Sequence, residues 1–118
     1  MPYAHRKDIY DADSHMMETP SWIAEYADPK IRSLLEPFVG GNKETLSEIE
    51  KAIKRYKERQ DNSHVANQAK KEFMSMKYKG WNGLGAFDQK ERRIANDLLG
   101  FKGQIVFSTS AFDQVIAA

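Results

Sequence analysis

Apolar positions recur along this chain in two periods, and the switch between them predicts the order of elements. Ile9 to Ser14 is a short run with alternating character, which predicts a strand. Thr19-Pro20 and Asp28-Pro29 each set a capping side chain before a proline, the pattern of a helix start. Trp22, Ile23 and Tyr26 form the apolar stripe of the first helix, and Ile31, Leu34 and Leu35 that of the second. Pro37 and Gly40-Gly41 then break the pattern. From Asn42 to Tyr78 the spacing is helical and strongly charged. Leu46, Ile49, Ala52, Ile53 and Tyr56 share one face, an interruption falls at Asp61-Asn62-Ser63, and Val65, Ala69, Phe73 and Met76 make a second, weaker stripe. Trp81 to Gly85 is a loop by its glycines. Asp88 followed by Glu91 resembles a capping box, with Ile94, Ala95, Leu98 and Leu99 as the buried face and Gly100 as the stop. Gln104 to Thr109 predicts a buried strand, and Ser110 to Ala118 the start of another helix.

Strands separated by helices imply parallel pairing through crossover connections. Two such strands require cover on both faces and neighbours at their edges. The expectation is therefore the opening of a larger α/β domain. The 118 residues leave room for one small domain, and the net charge of +1 gives no whole-chain attraction to nucleic acid or an anionic membrane. Without cysteine, disulfides and thiolate chemistry are excluded. The polar opening residues carry no signal core, and no apolar run approaches the ~20 residues of a membrane span. A cytoplasmic protein is expected.

The chemistry-bearing stretch is Asp11-Ala12-Asp13-Ser14-His15-Met16-Met17-Glu18. On a regular strand every second side chain shares a face, so Asp11, Asp13 and His15 are expected in line. Asp13 and His15 are the candidate metal ligands, because carboxylate oxygen and imidazole nitrogen suit zinc, manganese or iron. Glu18 is a third ligand or a partner that holds the imidazole. On spacing alone, a solvated strand end with Asp13 capping the next turn is the commoner origin of such a pair, and Glu18 equally suits a helix start. His5 and His64 have no partner at ligand spacing and read as solvated. Between residues 43 and 79 ten basic residues face six acids, which is a solvated helical face before it is a phosphate-binding one. Neither a glycine-rich phosphate loop nor a nucleophile elbow is present.

The run from Asp11 to Trp22 resembles the opening of the amidohydrolase-related metal-dependent hydrolases, the group that includes aminocarboxymuconate-semialdehyde decarboxylase and resorcylate decarboxylase. A second block is similar to the same family: Leu84-Gly85-Ala86-Phe87-Asp88, Glu91-Arg92, Leu99-Gly100-Phe101 and Gln104 to Phe107. The resemblance implies the N-terminal part of a (β/α)8 barrel with a divalent metal at the strand ends, incomplete in this chain because a barrel needs ~200 residues or more. It divides the chain into a first strand with its helices (8–41), a charged helical insertion (42–80), and a helix, second strand and next helix start (81–118). It maps the first ligand pair onto Asp13 and His15, with Asp13 standing where many members have histidine. The implied cofactor is zinc, with manganese or iron as alternatives. The implied activity is hydrolysis or decarboxylation of a small organic carboxylate, amide or ester, in a full-length protein that can self-associate; the chain alone is expected to be inactive. The other reading is a non-catalytic helical module that binds a protein partner through residues 42–79.

Overall fold

In the computed structural model, which describes residues 8–34, 43–109 and 111, two strands pair in parallel and most of the described backbone between them is helical. Strand β1 (Tyr10–Met16) leads to helix α1 (Trp22–Tyr26) and a 3-10 turn (Arg32–Leu34). Helices α2 (Lys43–Asp61) and α3 (Ser63–Met74) follow, then a second 3-10 turn (Gly80–Asn82), α4 (Gln89–Leu99) and β2 (Gly103–Ser108).

This corrects the expected fold class. Among the described residues the sheet has two strands, β1 and β2, and the bulk of the backbone is helix, so the opening of a (β/α)8 barrel is not what they display. Period-two patterning occurs only twice in the sequence, and two strands cannot supply the tilt and stagger from which a barrel closes. The second strand is also not buried: Ile105, Val106 and Phe107 are 58%, 43% and 48% exposed.

Local boundaries follow the side chains that satisfy helix ends. Helix α1 begins one residue after Ser21 and not at Thr19-Pro20; Thr19 supplies a carbonyl to Trp22 N–H instead. Asp28 folds back on its own turn, its Oδ1 accepting from Lys30 N–H at 2.8 Å, and the segment continues as a 3-10 turn where a helix was expected. Asn62 separates α2 from α3 because its Oδ1 accepts from both His64 and Val65 N–H groups, an N-cap in the middle of the charged stretch. Asp88 caps α4 through Glu91 N–H at 2.8 Å, and Gly100 ends it in the left-handed region at φ 78°. The expected breaks at Pro37 and Gly40-Gly41 lie outside the described residues, as does nearly all of the helix start expected over 110–118.

The core lies between α2, the 83–88 loop and α4, where Ile49, Ala52, Leu84, Ala86 and Ala95 are buried. Ile94, expected on the buried face of α4, is 37% exposed. A polar layer ties the same helices together. Tyr56 donates to Asp88 at 3.1 Å, and burial, then this bond and the acid's charge, pushes the phenol above its ordinary pKa of 10.0. A raised pKa means that the fold holds the proton more tightly than the unfolded chain does. That stability is present below pH 10.0 and is lost as pH rises through the folded value. Wild type is therefore expected to lose urea resistance relative to Tyr56→Phe as pH rises above 10.0, by about the 1 kcal/mol of one hydrogen bond. A difference that stays constant over that range rejects the coupling.

Among the described residues no helix is long and apolar enough to cross a membrane.

Candidate functional site

The carboxyl end of β1 is shaped by an irregularity in its pairing. Asp11 lies opposite Gln104, yet Ser14 lies opposite Val106, so three steps along β1 match two along β2. The extra residue is a bulge, which bends a strand and re-aims its side chains. Asp11 holds it: Oδ1 accepts from Asp13 N–H at 3.0 Å and Oδ2 from Gln104 Nε2 at 3.2 Å. The bulge also changes which residues share a face. Asp11 pairs on the side of Ser14 and Val106, toward α4, where its charge acts on Arg92. Asp13 and His15 lie on the other side, with His15 opposite Phe107 and 6.0 Å from its ring. The expected line of Asp11, Asp13 and His15 is thus broken after Asp11, because the alternation of a regular strand does not survive an inserted residue.

Asp13 and His15 meet. His15 Nε2 lies 3.1 Å from Asp13 Oδ1, and the two side chains are 50% and 85% exposed for the histidine and the aspartate respectively. Glu18 takes a different place. It is 6% exposed, and both carboxylate oxygens accept from Thr109 N–H at 3.2 Å, just past β2. Thr109 returns the contact by donating its hydroxyl to the Met16 carbonyl at 2.6 Å. The two strand ends are therefore clamped together beside the Asp13–His15 pair. Arg92 of α4 adds a third tie by donating to the His15 carbonyl. Burial lowers the Arg92 pKa from its ordinary value, and the Asp11 charge opposes that. Thr109 and Gln104 were not legible as partners of this end, since contacts across more than ninety residues leave no local spacing signal.

Among the described residues no group of three or more histidines or carboxylates is placed to hold a metal ion. Asp13 and His15 offer an oxygen and a nitrogen donor of suitable chemistry, which is half of what a protein metal site usually supplies. Of the other histidines, His64 is exposed at the start of α3 and His5 lies outside the described residues. No protein-family model matches the chain, and neither the curated proteins nor the solved structures contain a significant match.

Proposed function

We propose that Asp13 and His15 are two donors of a divalent-metal site, and that this chain contributes to a metal-dependent hydrolase or decarboxylase of the amidohydrolase kind. Its substrate class is a small organic carboxylate, amide or ester. The observation that carries the reading is the accessible carboxylate–imidazole contact of 3.1 Å at the carboxyl end of β1. A bound metal supplies Lewis acidity there, polarising a carbonyl or acidifying a water. The donor pair suits zinc, with manganese and iron as alternatives.

The chain's own residues orient that pair. The Asp11-stabilised bulge turns Asp13 and His15 away from α4. Arg92 fixes the backbone that carries the imidazole, and the Glu18–Thr109 clamp keeps β2 from sliding past it. Glu18 on this reading supports the site from beside it and leaves coordination to Asp13 and His15.

Paramagnetic Mn2+ titration followed through the histidine ring NMR signals tests the assignment. His15 is expected to broaden before His5 and His64, and Asp13→Ala is expected to weaken that response by more than the ~10-fold typical of losing a mere supporting partner, since a donor is lost. Equal broadening of all three histidines, or an unchanged response in Asp13→Ala, rejects it.

A further inference from the structure

Helices α2 and α3 and the loop around the second 3-10 turn border a half-open cavity of about 240 Å3, away from the strand end. Its floor is apolar, built by Val65, Ala69, Phe73 and Leu84. Arg55 and Glu58 stand at its wall, three residues apart and so neighbours on one face of α2.

The other charges around the cavity are already matched. Arg59 is paired with Glu91 at 2.7 Å, and Glu72 with Lys77 at 3.0 Å. Arg55 differs, since it donates to the neutral amide oxygen of Asn82 and lies 5.5 Å from the Tyr78 ring. Among the described residues Arg55 makes no ion pair, and the Glu58 carboxylate makes neither an ion pair nor a hydrogen bond. Arg55, whose charge joins the Lys77 bond in holding the Glu72 pKa down, and Glu58 are therefore a cation and an anion without ion-pair partners among the described residues, on the wall above an apolar floor. A simple carboxylate would meet Glu58 and Glu72 as well as Arg55, and a simple amine would meet Arg55. A molecule with both charges at one end and an apolar body balances the cavity.

We propose that this cavity binds a single apolar α-amino acid, its carboxylate toward Arg55, its ammonium toward Glu58 and its side chain on the Val65–Phe73 floor. The volume lies below the ~300–1,000 Å3 of drug-sized sites, which suits one amino acid and not a peptide.

L-Phenylalanine is the probe, titrated into the full chain while the methyl signals of Val65, Ala69 and Leu84 are followed by NMR. Phenylacetate and phenethylamine serve as controls that each lack one charge. Saturable shifts are expected with phenylalanine, with roughly tenfold or greater loss of affinity in Arg55→Gln, in Glu58→Gln and for either control. Both substitutions lie at exposed positions, so the fold is retained. Absence of saturable shifts overturns the proposal. So does phenylacetate binding as tightly as phenylalanine, or full affinity in Glu58→Gln, since either outcome makes the cavity a plain anion site.

Discussion

A Gly85→Ala variant is expected to lose at least ~3 kcal/mol of stability, a large share of the ~5–15 kcal/mol that holds an average domain together. Gly85 sits in the left-handed region at φ 75°, where a side chain is already strained. Steric overlap costs more than the backbone strain. A Cβ there would lie 2.5 Å from Arg92 Cα, 2.7 Å from Arg92 N and 3.1 Å from Glu91 C, all backbone atoms that cannot swing aside. The 83–88 loop would have to lift from α4, which exposes buried Leu84 and Ala86 and pulls Gly85 N–H from Glu91. Gly80 provides the control. Its φ is also positive, at 58°, but an added Cβ finds only the flexible end of Met17 at 3.9 Å. Gly80→Ala should therefore cost only the ~1–2 kcal/mol of the backbone conformation. Equal urea midpoints for the two variants would falsify the close-packing account.

Removing Glu91 is the second large effect. This carboxylate is 5% exposed and accepts from Arg59 Nε and Nη2 at 2.7 and 2.9 Å, from Gln60 at 3.4 Å and from Gly85 N–H at 3.3 Å. It joins α2, the 83–88 loop and the start of α4 at one point. Glu91→Leu leaves the Arg59 guanidinium buried without its counter-charge and is expected to cost ~3–5 kcal/mol. Arg59→Met should cost a similar amount for the mirrored reason. The double variant removes both buried charges together and should recover most of the loss, except for the Gly85 N–H that remains unsatisfied at ~1 kcal/mol. Strictly additive losses in equilibrium unfolding would show that the pair is not coupled.

The same two residues show where reading the sequence reaches its limit. Asp88 and Glu91 have the spacing of a capping box, and the Asp88 half is present, since its carboxylate takes Glu91 N–H. The Glu91 side chain does not return the bond. It turns to Arg59 on another helix, thirty-two positions away, because the last turns of α2 reach the start of α4 with their side chains and bring a cation to it. Asn62 was legible as a break between two charged helices because the interruption is made by its own side chain. Glu18 was not legible as a clamp, because the amide it holds, Thr109, lies ninety-one residues onward. Asp13 and His15 were legible as neighbours two apart, whereas the loss of Asp11 from their face required the pairing register with β2.

By itself, then, the sequence determined the apolar face of α2, the break at Asn62, the cap at Asp88, the stop at Gly100, and the two strand segments with their parallel pairing. The local features rest on periodicity, on a side chain bonding to backbone within four residues, or on the access of glycine to positive φ, and the pairing follows from the helices between the strands. Tertiary structure alone decided that β2 is left partly open, that a bulge separates Asp11 from Asp13 and His15, and that Glu91 is a buried hub. It also decided that Arg55 and Glu58 stand over an apolar floor. These features depend on which distant segments meet, and meeting is set by packing of whole faces, which no local pattern along the chain encodes.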